Sequence, residues 1–130
     1  METHNILNGN IVHGDHIGKT LGFPTANLQT ADPLPPDGVY IARMSWKDGT
    51  RYGMLDIGLR PTIGGKEQRV EIHLLDFHGD LYGKKVRIET LHFLRKEQKF
   101  ADTDALRRQL DADLEATRNY LGQNHLKNEE

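Results

Sequence analysis

Hydrophobic residues alternate with polar ones through the first three quarters of the chain, which is typical of half-buried β-strands. In the clearest example, Val70, Ile72 and Leu74 share one face, whereas Glu71 and His73 share the other. Because side chains of a strand alternate between two faces, this segment predicts a strand with one face in the core and one polar face.

Other segments add strands and turns to this pattern. Residues 39–46 and 52–57 are rich in strand-forming residues, and the turn residues 47–49 between them predict a hairpin. Residues 86–93 predict another strand, whose irregular parity indicates a bulge or bend. The proline-rich segment 32–37 predicts a loop, because proline cannot donate a ladder hydrogen bond.

The period of the pattern changes near the C-terminus, where residues 103–121 predict an amphipathic helix. Asp102 or Thr103 is the expected N-cap, and residues 122–130 are expected to fray. Polar Thr117 interrupts the apolar positions of the helix. These positions recur at helical spacing: Leu106, Leu110, Leu114 and Leu121.

Many short strands followed by one helix predict an all-β fold with a C-terminal helix. Closure of the strands into an antiparallel barrel is expected, because a closed barrel has no exposed edges. We predict a single domain over residues 1–130, with the barrel at about 5–94.

Composition narrows the possible functions. The 17 basic and 19 acidic side chains give a net charge of −2, which argues against a nucleic-acid partner. The absence of cysteine excludes disulfides, thiolate metal sites and cysteine nucleophiles. No secretion signal is present, and no apolar run approaches the roughly 18 residues of a membrane span, so a cytoplasmic protein without a membrane partner is expected.

The most informative chemistry lies between residues 14 and 27. Gly14, Gly18 and Gly22 recur at every fourth position, and glycine lets backbone N–H groups approach a phosphate closely. Thr25 and Asn27 follow on one side of an extended chain, and their side-chain oxygens suit a phosphate-bound Mg²⁺ ion. The segment therefore predicts a nucleotide-binding site.

This segment is not a P-loop, although Lys19 follows a glycine as in that motif. His13 occupies the position that requires the first glycine, and Gly22 and Pro24 prevent the helix that a P-loop needs. Pro24 instead stiffens the chain ahead of Thr25. A glycine-rich surface turn without a ligand is the alternative interpretation.

The stretch 14–27 resembles the signature of riboflavin kinase (flavokinase), especially the kinase half of bifunctional bacterial riboflavin kinase/FAD synthetase. The resemblance extends over about residues 8–121, because further motifs of the family follow in the same order. These motifs are Gly38-Val39-Tyr40, Gly58-x-x-Pro61-Thr62, residues 70–77, Asp80-Leu81-Tyr82-Gly83 and Leu94-Arg95-x-Glu97-x-x-Phe100.

The resemblance implies a six-stranded Greek-key barrel that transfers the γ-phosphoryl group of ATP to riboflavin with Mg²⁺, giving FMN and ADP. It implies that Thr25 and Asn27 bind the metal and that Arg95, Glu97 and Phe100 contact the flavin. It also implies a set of nucleotide-binding residues: Gly14, Gly18, Lys19, Gly22, Pro24, Thr25 and Asn27.

Among the acidic residues, Glu71 is the candidate catalytic base. Its strand parity directs it to the polar face, and the resemblance places the catalytic glutamate at this position. By pattern alone, a solvated charge on that face is the favoured interpretation of Glu71, and only the resemblance reverses this preference. Asp56, Asp76 and Asp80 are expected near turns, where aspartate commonly caps its own backbone.

Bacterial relatives often carry an adenylyltransferase (FAD synthetase) domain ahead of the kinase, so we expect the chain to be the kinase half of such an enzyme. A non-catalytic flavin- or nucleotide-binding barrel is the alternative function. It would bind its ligand without producing ADP.

Overall fold

The computed structural model describes residues 4–13 and 22–126. Over these residues the chain forms six strands and one long helix, which confirms the predicted all-β fold with a C-terminal helix. The elements are β1 Ile6–Val12, β2 Ala26–Thr30, β3 Gly38–Trp46, β4 Gly49–Thr62, β5 Gly65–Leu74, β6 Lys85–Arg95 and α1 Thr103–Gln123.

The strands close into an antiparallel barrel in the order β1-β2-β5-β4-β3-β6. Strand β5 lies between β2 and β4, so it joins the segment that follows the glycine pattern to the long β3–β4 hairpin. The predicted irregularity of β6 is confirmed, because its register with β3 shifts at Val39/Tyr40 and again at Ile41/Ala42.

Two clusters of buried side chains follow from the alternation along the strands. The inner cluster fills the barrel and includes Leu55, Val70 and Ile72. The outer cluster lies between the barrel wall and α1 and includes Ile41 and Leu121. Even-numbered core residues of β5 therefore point inward, and its odd-numbered residues lie on the outer face, as the sequence pattern predicts.

Asp102 is the N-cap of the helix, because its side chain accepts a hydrogen bond from the Ala105 amide. The helix ends at Gln123, two residues beyond the predicted end at 121. Its most buried residues are Asp113, Thr117 and Leu121. Thr117 is fully buried, and its hydroxyl donates to the Asp113 carbonyl one turn earlier. The polar residue that interrupts the apolar positions therefore lies on the contact face with its hydroxyl hydrogen-bonded.

The turn assignments for the three aspartates have different outcomes. Asp80 accepts a hydrogen bond from the Tyr82 amide, and Asp76 adopts a positive φ of 56° outside the strands, so both lie in turns. The assignment of Asp56 is wrong, because Asp56 lies within β4 opposite Glu71. No helix in the described part of the chain is long and apolar enough to cross a membrane.

Candidate functional site

Three polar residues form a row across adjacent strands on the outer face of the barrel. The β2–β5 register sets Asn27 opposite Glu71, and the β5–β4 register sets Glu71 opposite Asp56. Side chains that face each other across antiparallel strands lie on the same side of the sheet, about 5 Å apart at Cβ. Asn27 is buried, and the Glu71 side chain is 18% exposed, so this row is sheltered from solvent.

The segment that leads into β2 is fixed from both sides. Gly22 adopts a φ of +84°, which glycine tolerates and L side chains rarely adopt. Phe23 is buried in the outer cluster, and the Pro24 carbonyl oxygen lies 2.7 Å from Nδ1 of His73 on β5. This anchoring holds Thr25 just before β2, two residues ahead of Asn27.

Two cavities meet at Asn27. One has a volume of about 210 Å³ and is lined by Thr25 and Asn27, with Tyr82 at its wall. The other has a volume of about 400 Å³ and is lined by Asn27, Gln68 and Arg69. Val12, His13 and Asn27 line both cavities, and Asn27 is the strand partner of Glu71.

Arg69 connects the carboxylates of the outer face. Its Nη2 atom donates to Asp56 Oδ2 and to Glu97 Oε1, each at 3.1 Å, and its Nε atom lies 3.9 Å from Glu71 Oε1. Partial burial opposes the charge of the guanidinium, but attraction by Asp56, Glu71 and Glu97 raises the pKa of Arg69 overall. Asp56, Glu71 and Glu97 with Arg69 are called the carboxylate cluster below.

Glu97 is the perturbed acid of this cluster. Partial burial, together with the neighbouring Asp56 carboxyl, raises the pKa of Glu97 to about 8, although Arg69 and Arg95 oppose the shift. The raised pKa favours the protonated form of the Glu97 carboxyl. Three acidic side chains can consequently lie around one guanidinium without three full negative charges.

His73 shares the outer face of β5 with Glu71. Desolvation by burial lowers the pKa of His73, with a smaller contribution from the nearby Arg118 charge, whereas its hydrogen bond to Pro24 opposes the shift. The neutral imidazole is thus favoured, and its Nδ1 atom must carry the hydrogen because a carbonyl can only accept.

The predicted flavin-binding residues lie where β6 leads into α1. The Arg95 guanidinium binds the buried Asp113 carboxylate through Nε and Nη2 at 2.8 to 3.1 Å. The Cζ atom of Arg95 lies 5.9 Å from the centre of the half-buried Phe100 ring. Arg95 thus attaches α1 to the barrel, while Glu97 reaches back to Arg69 on β5.

The structure brings Thr25, Asn27 and Glu71 to one region and sets Glu97 within reach of it through Arg69. The predicted nucleotide-binding residues Gly14, Gly18 and Lys19 lie outside the described residues. Sequence reasoning missed the part played by two residues, Asp56 and Arg69. For Arg69 a signal was present, because it shares the strand parity of Glu71.

Comparisons with known proteins identify the family of the chain. The sequence model of the family described as Flavokinase, riboflavin kinase, matches residues 1–121. The bifunctional riboflavin kinase/FMN adenylyltransferase of Haemophilus influenzae is 39% identical over 115 residues, which are 87% of this chain and 37% of that protein. The chain thus spans well under half the length of this curated relative.

Two solved structures share the fold. A Streptococcus pneumoniae protein described as a macrolide-efflux protein has a TM-score of 0.80 and 39% identity, and the match covers 88% of this chain and 38% of that one. The riboflavin kinase of Trypanosoma brucei has a TM-score of 0.64 and 24% identity, with 96% of this chain and 84% of that one covered. The second likeness concerns the fold alone.

Proposed function

The chain belongs to the riboflavin kinase family, and we propose that it transfers the γ-phosphoryl group of ATP to the terminal ribityl hydroxyl of riboflavin, giving FMN and ADP. The observation that carries this proposal is the β2–β5 register, which sets Asn27 opposite Glu71. An oxygen ligand suited to a phosphate-bound cation thereby lies beside a carboxylate suited to accept a proton.

ATP is proposed to bind at the cavity lined by Thr25 and Asn27. Its phosphates would lie against the glycine segment from Gly14 to Gly22, with the Lys19 ammonium as a counter-charge. The fixed position of Pro24 supports this placement. A stiff segment ahead of β2 presents the side-chain oxygens of Thr25 and Asn27 with a smaller loss of chain entropy on binding.

The residues present suit Mg²⁺ as the ion that accompanies ATP. Thr25 and Asn27 offer neutral hard oxygens, and the described residues contain no group of three or more His, Cys, Asp or Glu that could hold a metal on their own. This donor set suits an ion that keeps several waters and takes its other ligands from the phosphates. When bound, Mg²⁺ neutralises the phosphate oxygens on which charge develops during transfer.

Glu71 is proposed as the general base. Its carboxylate accepts the proton of the ribityl hydroxyl while the hydroxyl oxygen forms a bond to the γ-phosphorus. The bond between the γ-phosphorus and the bridging oxygen breaks at the same time, and ADP leaves with that electron pair. The low exposure of Glu71 supports this role, because the carboxylate is shielded from competing water.

Riboflavin is proposed to approach from the second cavity, which contains Arg69. The contact of Arg69 with Glu97 connects this cavity to the predicted flavin-binding residues Arg95, Glu97 and Phe100. The two cavities meet at Asn27, so a ribityl chain in one can reach a γ-phosphate in the other.

The kinase step alone is assigned to this chain, because the chain spans 37% of the length of its Haemophilus influenzae relative. The FMN adenylyltransferase activity in that relative's name is not assigned here. An FAD synthetase domain, which would consume the FMN, is the partner that we propose. Because ATP is the phosphoryl donor, we place the reaction in the cytoplasm.

Incubation of the chain with riboflavin, ATP and Mg²⁺, with FMN and ADP separated by chromatography, tests this function. Equal amounts of FMN and ADP are expected, with neither formed when riboflavin or Mg²⁺ is omitted. Binding of riboflavin or ATP without ADP formation would instead indicate the non-catalytic barrel.

A further inference from the structure

We infer that Arg69 is a positioning residue for Glu71, held by Asp56 and Glu97 so that its Nε–H group faces the Glu71 carboxylate. This inference rests on the proposed function of Glu71 as the base. It assigns a task to an arginine that the expected site residues did not include.

The first support is the unusual arrangement of charge on the outer face. Asp56 and Glu71 are directly opposite each other on β4 and β5, and like charges in that relationship destabilise a sheet. Arg69 precedes Glu71 by two residues on the same face of β5, so its guanidinium can compensate both carboxylates. Its distances of 3.1 Å to Asp56 and 3.9 Å to Glu71 show that it does.

The second support is an unsatisfied donor. The Nε atom of Arg69 is buried and has no hydrogen-bond partner among the described residues, whereas Nη2 has two. A buried donor without a partner costs about 1 to 3 kcal/mol. Glu71 Oε1, at 3.9 Å, is the acceptor that a movement of less than about 1 Å would bring into hydrogen-bond range.

The third support is the space made for this side chain. Gly58 is opposite Arg69 on β4, and a Cβ atom there would lie 2.5 Å from Glu97 Oε1 and 2.9 Å from Arg69 Nη2. Such contacts are too short for real Cβ atoms, so any other residue at position 58 would force the ends of the Glu97 and Arg69 side chains to shift. The segment after β6 is thereby joined to β5 two residues before Glu71.

The protonation of Glu97 agrees with this arrangement. Because the raised pKa of Glu97 favours its neutral form, the charge of the guanidinium acts mainly on two carboxylates, Asp56 and Glu71. A neutral Glu97 still accepts the hydrogen bond from Nη2 through its carbonyl oxygen. Arg69 is therefore fixed by one charged and one neutral partner, and its remaining charge acts on Glu71.

A double-mutant cycle between Arg69 and Glu71 tests the inference. Arg69→Gln should lower kcat about tenfold while the KM for ATP changes less than about twofold, because the altered group acts through the base. In the Glu71→Gln background the same substitution should change the residual kcat less than about twofold. Arg69→Lys, which keeps the charge, should recover part of the lost kcat.

Two further variants separate positioning from folding. The double variant Asp56→Asn with Arg69→Gln removes one negative and one positive charge, so the net charge of the carboxylate cluster does not change. This variant should fold while its kcat remains low. Arg43→Gln breaks a comparable ion pair with Glu89 between β3 and β6, away from β5, and should leave kcat unchanged.

The outcomes distinguish this inference from the function on which it rests. A full rate for Glu71→Gln would overturn the proposed base and the coupling with it. A large loss for Glu71→Gln with wild-type kcat for Arg69→Gln would overturn only the role of Arg69. Equal losses from Arg69→Gln in both backgrounds would also overturn it, since the effect would then not pass through Glu71.

Discussion

The Nδ1 atom of His73 lies 2.7 Å from the carbonyl oxygen of Pro24 and joins the strand of the proposed base to the segment of the proposed metal ligands. The contact spans 49 residues of sequence. It lies two residues from Glu71 on one side and one residue from Thr25 on the other. The bond therefore extends the β2–β5 pairing, which already sets Asn27 opposite Glu71, to the residue before Thr25.

Replacement of His73 by Phe tests this connection. Phe keeps an aromatic ring near Phe23, whose ring centre is 5.3 Å from that of His73, but it cannot donate to Pro24. Loss of a hydrogen bond worth about 1 kcal/mol should raise the KM for MgATP about fivefold. Steady-state kinetics with varied ATP measures this change, and an unaltered KM would show that Pro24 does not need this bond.

Thr25 is expected to contribute one oxygen to the metal–nucleotide complex. Thr25→Val keeps the shape of the side chain but removes the hydroxyl, so it should weaken MgATP binding by about tenfold or more. Thr25→Ser keeps the hydroxyl and should bind within about threefold of the wild type. Calorimetric titration compares the two variants, and equal affinities would exclude the hydroxyl as a ligand.

The Arg95–Asp113 pair is expected to stabilise the packing of α1 on the barrel. Asp113 is 3% exposed, so Asp113→Ala leaves the Arg95 charge partly buried without its partner and should cost about 3 kcal/mol. Asp111→Ala removes an exposed carboxylate from the same helix and should cost less than about 0.5 kcal/mol. Urea unfolding of both variants measures the difference, and similar midpoints would argue against a structural role of the pair.

Glu97 is expected to make stability fall as the pH rises. Its pKa is raised from 4.5 to about 8 in the folded protein, so between these values the folded state holds a proton that the unfolded state has lost. The free energy of unfolding should therefore decrease from about pH 5 to pH 8, and the full decrease is present above the folded pKa.

Glu97→Gln mimics the protonated side chain and should reduce this decrease. The lowered pKa of His73 acts in the opposite direction, but it is common to both proteins and cancels in their difference. Urea unfolding at several pH values measures the two curves. Parallel curves for the wild type and Glu97→Gln would contradict the assigned protonation.

The strand pattern predicted on which face of β5 Glu71 lies, because the alternation of side chains is a local property of the chain. Asp56 was misplaced because the predicted strand 52–57 ends beside it, whereas β4 continues through Gly58 to Thr62. Glycines in β4 mark close contacts between strands: Gly53 is required by the approach of β5, since a Cβ atom there would lie 2.3 Å from the His73 carbonyl oxygen. Glycine in a strand thus reported a long-range contact that the local pattern could not distinguish from a turn.

The partner of Arg95 was also out of reach of local reasoning, although one signal was present. Asp113 lies at helical spacing between Leu110 and Thr117, on the face that packs against the barrel. A carboxylate on such a face requires a cation, and Arg95 is 18 residues away in sequence. The motif resemblance named the segment that contains Arg95, but the pairing of Arg95 with Asp113 depends on how α1 packs.

The central claim is that Glu71 removes the proton from the ribityl hydroxyl. The most direct test is the single-turnover rate of FMN formation by Glu71→Gln, with riboflavin and MgATP bound at saturation. We expect a loss of about 10²-fold to 10⁴-fold with both ligands still bound, and no loss for Glu115→Gln on the exposed face of α1. A rate within about threefold of the wild type would contradict the assignment.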